Sequence, residues 1–165
     1  MIIGIISDIH DRLPLLEKAI NRLNEEKVEL VLCAGDYVAP FVTSYFKALK
    51  AKMIGVFGNN DAEKQTLKER FSQLGFDVQG SFRSIEVDGL KIALLHGNES
   101  ELLKSIIDLS SFEVVVYGHT HKVEVQRGKD KLVINPGEVC GYLSGRSTIA
   151  KLDTKTLEVE IVELR

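Results

Sequence analysis

The chain has 165 residues, 44% apolar and 27% charged, with a formal net charge of −3. That length suits one domain, residues 1–165, with a core of its own, and the composition is that of an ordinary soluble globular protein. The mildly acidic balance gives no footprint for duplex nucleic acid, and the two cysteines, Cys33 and Cys140, make no disulfide framework.

The first apolar run, 2–6, is cut short by Asp8. It is therefore neither a signal peptide nor a membrane span, and a cytoplasmic location with no membrane partner is expected. Lacking polar alternation, it reads as a buried strand. A helix opens near Leu13-Pro14, where proline suits the first turn, and carries Leu16, Ala19, Ile20 and Leu23 at helical spacing. Next come a strand at 30–34, a second helix from about Phe41 to Leu49, and a strand at 53–57. The third helix covers Glu63 to Leu74, with Leu67, Phe71 and Leu74 inward. A strand at 90–95 precedes a fourth helix that carries Leu102, Leu103, Ile106 and Ile107, and a further strand lies at 113–117. This alternation implies parallel strand pairs joined by right-handed crossovers.

The remaining segments read as hairpins. Asp88-Gly89 separates two apolar runs, a turn signal of known type. A second hairpin turns near Gly128-Lys129-Asp130 and a third at Asp153-Thr154. The sheet system is thus mixed, with an antiparallel C-terminal portion.

The chemistry lies in the residues just beyond each buried strand. Run 2–6 leads to Asp8 and His10, run 30–34 to Gly35-Asp36, and run 53–57 to Gly58-Asn59-Asn60-Asp61. Run 90–95 ends in His96-Gly97 and run 113–117 in Gly118-His119-Thr120-His121. All four histidines fall in this set. The carboxyl ends of parallel strands are where open α/β sheets bind ligands. In an extended segment, residues two apart point the same way, so Asp8 with His10 and His119 with His121 are expected to converge. With Asp36, Asn59 and His96 they make seven candidate ligands, too many for one tetrahedral zinc and suited to two metals. Imidazole with carboxylate favours manganese, iron, zinc, nickel or cobalt over calcium. Asp36 is the candidate bridge, with the ions about 3.5–4 Å apart. Two divalent cations against Asp8, Asp36 and a bridging hydroxide leave about one positive charge, which suits hydrolysis of an anionic phosphoester.

Taken together, "SDIHD", "GD" at 35–36, "GNND" at 58–61, "HG" at 96–97 and "GHTH" at 118–121 resemble the calcineurin-like metallophosphoesterase superfamily. The short length and "INPGE" at 134–138 resemble its small archaeal and bacterial phosphodiesterase branch. The resemblance spans residue 2 to about 145. It implies a four-layer α/β/β/α sandwich with two mixed sheets, and a divalent-metal-dependent phosphodiesterase acting on a small phosphodiester. It implies that Asp8, His10, Asp36 and His121 hold one metal and Asp36, Asn59, His96 and His119 the other, with manganese first among the metals. Many members read Gly-Asn-His where this chain has Gly58-Asn59-Asn60. That histidine lies near the leaving group, and Asn60 cannot give up a proton as imidazolium does. Activated aryl diesters are therefore expected to react faster than alkyl ones.

Asn60 and Asp61 are expected just outside the ligand set, Asp61 and Asp11 either orienting a histidine or capping a helix. Arg12 is read as a surface residue or a phosphate contact, and Thr120 as a spacer. Asn135 and Glu138 are expected to shape the loop beside the metals. Tyr37, Phe41, Phe46 and Tyr142 are expected in the core, or else at an apolar interface. Two other functions share this fold: a non-catalytic scaffold like the retromer subunit that resembles the family, and a nuclease. Every expected ligand is present, against the first; the chain is acidic overall and short beyond the last motif, so the second is not expected. A homo-oligomer is left open.

Overall fold

The computed structural model describes residues 1–164; Arg165, the last residue of the expected domain, lies outside them. The elements are β1 (Ile2–Ile6), α1 (Leu13–Glu25), β2 (Leu30–Cys33), a 3₁₀ segment (Pro40–Ala48), β3 (Lys52–Gly55), α2 (Lys64–Gln73) and β4 (Asp77–Val78). Then come β5 (Phe82–Val87), β6 (Leu90–Leu95), α3 (Ser100–Leu109), β7 (Val114–Val116), β8 (Val123–Arg127), β9 (Leu132–Pro136), β10 (Thr148–Asp153) and β11 (Val159–Glu163).

Two mixed sheets result, a six-stranded one in the order β11-β10-β1-β2-β3-β4 and a five-stranded one in the order β5-β6-β7-β9-β8. β1, β2, β3 and β4 run parallel, as do β6, β7 and β9, and β10 pairs antiparallel with β1. All three expected hairpins form.

Side chains alternate across each strand, and this alternation builds the layers. Ile3 and Ile5 of β1, with Leu30 and Leu32 of β2, meet Val114 and Val116 of β7 in a core between the sheets. Ile6, Val31, Cys33 and Met53 face the other way, against Leu16, Ile20 and Leu23 of α1 and Leu67 and Phe71 of α2. Val115, Tyr117 and Ala93 face outward from the second sheet, against Leu103, Ile106 and Ile107 of α3. The order is helices, sheet, sheet, helix: the four-layer sandwich. Each fully buried Leu or Ile contributes about 1.5–3 kcal/mol, so the three layers of apolar contact dominate stability.

Three local features depart from the sequence reading. The segment expected as a helix over 41–49 winds as 3₁₀ instead. Thr43 and Ser44 turn their hydroxyls back onto the carbonyls of Pro40 and Phe41, three residues earlier, at 2.8 Å each. Such local bonds compete with α-helical winding. β4 has two residues, too few to show a period. Leu102 stays exposed because α3 turns Leu103, Ile106 and Ile107 inward. Of the four aromatic residues expected in the core, Tyr37 and Phe46 are fully buried, while Phe41 and Tyr142 are exposed. No helix among the described residues is long and apolar enough to cross a membrane.

Candidate metal centre

The loops after β1, β2 and β3 of one sheet meet the loops after β6, β7 and β9 of the other. Backbone bonds lock them together. Asp8 N–H donates to Gly35 O (3.1 Å), Gly118 N–H to His96 O (2.9 Å), and Cys140 N–H to Asp8 O (3.0 Å). Glycine permits this crowding. A Cβ on Gly118 would come 1.9 Å from Ser7 Oγ and 2.8 Å from Asp8 Oδ2, and one on Gly58 would come 2.1 Å from Asp36 Oδ1.

The converging backbone is not extended. Asp8, His10, Asp36, His119 and His121 all have positive φ, between 45° and 66°. Alternation along a strand is therefore not what aims these side chains. They leave tight left-handed turns, a conformation that Asp and His adopt more readily than most residues. Asp8 and His10 do converge, as expected. His119 and His121 part company: His121 turns Nε2 to within 3.3 Å of Asp8 Oδ1, while His119 turns Nδ1 to within 3.1 Å of Asn59 Oδ1.

Asp36 lies between two histidines. Its Oδ2 is 3.3 Å from His10 Nε2 and 3.3 Å from His96 Nε2. His10 Nε2 is also 3.7 Å from Asp8 Oδ1. Asp8, His10 and His121 can offer atoms to one point, and Asp8, Asp36 and His96 to a second. His119 joins through its ring, whose centroid lies 5.2 Å from that of His96. All seven candidate ligands thus line one site.

Those donors fit a cation. His96 Nδ1 lies 2.7 Å from Ala34 O, and His121 Nδ1 lies 2.6 Å from Glu138 Oε2. Both partners are acceptors, so Nδ1 donates and the Nε2 of each ring is left facing a carboxylate, that of Asp36 for His96 and that of Asp8 for His121. An imidazole nitrogen lone pair 3.3 Å from a carboxylate oxygen is repelled unless positive charge lies between. Ligand atoms sharing an ion at about 2.0–2.2 Å would themselves stand roughly 3 Å apart. Asp8 Oδ1, His10 Nε2 and His96 Nε2 are buried without a hydrogen-bond partner. Without a metal, protons are favoured in that place on His10 and His96. Asp36 and Asp8 hold His10 up to about 10. Burial opposes a charge on His96, yet Asp36 raises it. Burial likewise opposes the Asp36 carboxylate, yet His10 and His96 keep its pKa well below the usual range. Burial and the nearby His96 lower His119.

A further set of side chains holds the ligand loops. Asp61 is buried and caps no helix. Its carboxylate accepts the N–H groups of Asp36 (2.9 Å), Gly58 (2.7 Å) and Val38 (2.7 Å), tying two ligand loops together. Asn60 donates Nδ2–H to Asp36 Oδ2 (2.8 Å) and its backbone N–H to Oδ1 (2.9 Å). Asp11 accepts from Ala39 N–H (2.9 Å). Thr120 is more than a spacer, since its Oγ1 accepts from Asn135 Nδ2 (3.1 Å), which also donates to Gly118 O (2.8 Å). The Arg12 guanidinium lies over the Tyr142 ring, 4.9 Å from its centroid.

Glu138 is the residue whose importance the sequence least reveals. It is fully buried. With His121 and Cys140 it makes a third cluster of metal-ligand types. The 2.6 Å spacing to His121 Nδ1 is that of a hydrogen bond, and Cys140 Sγ–H donates to the same oxygen at 2.9 Å, so the cluster is already satisfied. Consistent with this, burial and the Glu138 carboxylate push the Cys140 thiol up to about 12. A signal was present: "INPGE" ends a buried strand on a carboxylate.

Residues 1–157 match the family described as the calcineurin-like phosphoesterase superfamily domain. Phosphodiesterase MJ0936 of Methanocaldococcus jannaschii is 44% identical over 165 residues, covering 99% of this chain and 99% of that protein. A solved structure of an archaeal phosphodiesterase superposes with a TM-score of 0.95 at 44% identity, covering 99% of this chain and 100% of that one. Vps29 of Chaetomium thermophilum superposes with a TM-score of 0.73 at 18% identity, covering 99% and 95%, a likeness of fold alone.

Proposed function

This chain belongs to the calcineurin-like phosphoesterase superfamily, and from that membership we propose that it is a divalent-metal-dependent phosphodiesterase acting on a small phosphodiester. The observation that carries the reading is the position of Asp36. Its Oδ2 lies 3.3 Å from the Nε2 atoms of both His10 and His96, and neither nitrogen has a hydrogen-bond partner. A carboxylate shared between two imidazoles is what a pair of ions needs as a bridge.

We assign Asp8, His10, Asp36 and His121 to one ion and Asp36, Asn59, His96 and His119 to the other. Manganese is the first choice, with nickel, iron, zinc and cobalt as alternatives. Two such ions would supply Lewis acidity toward a phosphoryl oxygen and an activated water as nucleophile. The chain's own residues do the rest. Ala34 O fixes the His96 ring, and Glu138 fixes that of His121. Asn60 and Asp61 hold the Asp36 loop in register, by its carboxylate and by its backbone. The two carboxylates assigned as ligands, Asp8 and Asp36, carry less charge than two divalent cations, so the loaded metal pair itself favours an anion. That a relative 44% identical over the whole chain carries the name phosphodiesterase supports a diester substrate.

Metal-stripped protein assayed on an activated aryl diester and the matching monoester, with each divalent ion restored in turn, tests this. Diester cleavage that needs a metal and disappears in His121→Ala and Asp36→Ala is the expected result. Protein that binds two ions yet turns over neither ester would overturn the reading.

A further inference from the structure

Glu138 makes contacts that neither ligand spacing nor loop closure alone requires. Its two oxygens divide their work. Oε1 accepts from the backbone of Leu143 (3.0 Å) and from Ser144 N–H (2.6 Å) and Oγ–H (2.7 Å). Oε2 accepts from Tyr142 N–H (2.9 Å), from the Cys140 thiol (2.9 Å) and from His121 Nδ1–H (2.6 Å). A fully buried carboxylate is costly unless its lone pairs are occupied, and here they are. A neutral carboxamide, with a single acceptor oxygen, could take only part of this set of donors. What a neutral acceptor also lacks is charge directed at the imidazole.

We propose that Glu138 is a positioning residue: by accepting the Nδ1 proton of His121 it selects the tautomer whose Nε2 lone pair faces Asp8, and its charge makes that nitrogen a stronger ligand. The distances form a continuous chain, 2.6 Å from Glu138 to Nδ1 and 3.3 Å from Nε2 to Asp8 Oδ1, an oxygen that has no hydrogen-bond partner of its own. Carboxylates so placed behind a ligating histidine typically govern affinity by about 10- to 100-fold. The inference rests on His121 being a metal ligand, as proposed above.

The test reads metal binding and tautomer, not turnover. Dissociation constants for Mn²⁺ and Zn²⁺ would be measured by calorimetry on wild type, Glu138→Ala, Glu138→Gln, Ser144→Ala and His121→Ala. Long-range ¹H–¹⁵N spectra of the histidine rings would be recorded on metal-free protein at pH 8. Glu138→Ala should weaken one of the two ions about 10- to 100-fold and shift His121 toward the Nε2–H tautomer, leaving His96 unchanged. Glu138→Gln, whose carboxamide oxygen still accepts from Nδ1, should restore the tautomer and part of the affinity. It also serves if the alanine variant does not fold. Ser144→Ala removes one donor from Oε1 but keeps the Oε2 bond to His121, so the tautomer should hold and any loss of affinity should be smaller than in Glu138→Ala. An unchanged His121 tautomer in Glu138→Ala, or an equal loss in Ser144→Ala, would overturn the inference while His121→Ala still upheld the metal site. Wild-type protein that binds no ion would overturn both.

Discussion

Asn60 grips both oxygens of the Asp36 carboxylate, its side-chain amide 2.8 Å from Oδ2 and its backbone N–H 2.9 Å from Oδ1. Where many superfamily members resemble one another in carrying a histidine, this chain carries a residue that orients the central carboxylate. An amide does this well, but it has no proton to give a departing alkoxide.

The first prediction comes from that exchange. Rates measured across aryl and alkyl diesters should fall steeply as the leaving-group pKa rises; a flat dependence would contradict the role given to Asn60. Asn60→Ala should cost about 10- to 100-fold in kcat/KM, the worth of a hydrogen bond to a charged group.

Ion occupancy should separate the ligands. His121→Ala should retain one ion of the pair by metal analysis, and Asp36→Ala should weaken both, because among the described residues only Asp36 stands within 3.3 Å of histidines from both groups. Equal occupancy in the two variants would contradict a shared carboxylate.

Gly118→Ala should destabilise the fold by about 1–3 kcal/mol in urea denaturation, the usual cost of forcing an extra methyl into a packed site. The new Cβ would meet Ser7 Oγ at 1.9 Å and Asp8 Oδ2 at 2.8 Å. It should also weaken metal binding, since Asp8 must move. A variant with wild-type stability and affinity would show that the two loops are looser than their spacing implies.

In metal-free protein His10 titrates at about 10 against an ordinary 6.5. Between those values the folded chain holds a proton that the unfolded chain has released. That contribution to stability is complete below about pH 6.5 and is lost as pH rises through about 10. Thermal melts in chelator should therefore show a melting temperature that declines from pH 7 to pH 10, a decline that added Mn²⁺ flattens by supplying the positive charge itself. A melting temperature that rises with pH in chelator would refute this.

Much of the site is legible in the residues themselves. Asp8, His10, Asp36, Asn59, His96, His119 and His121 stand just past strand ends, Asp36, Asn59, His96 and His119 next to a glycine, and parallel pairing brings strand ends together. The stacking of two sheets is not legible from the residues alone. Strands such as Val114–Val116 are buried on both faces, so their apolar runs carry no period to say which residue meets which layer. The aim of the histidines escapes the sequence for a local reason. Alternation holds for extended backbone, and the backbone here is left-handed, so only the family resemblance points to the parting of His119 from His121. Glu138 is legible as a loop residue, but its partner His121 lies 17 positions away, beyond any local pattern.

The candidate ligands come from both sheets: Asp8, His10, Asp36 and Asn59 lie just past strands of one, and His96, His119 and His121 just past strands of the other. An ion pair held there would be a rivet through the seam of the sandwich. Prying the layers apart at that edge would require breaking coordination bonds as well as exposing apolar surface. Cations would then govern how far the two halves of the molecule can breathe, and a chelator would loosen the architecture at a distance from any helix or strand it touched.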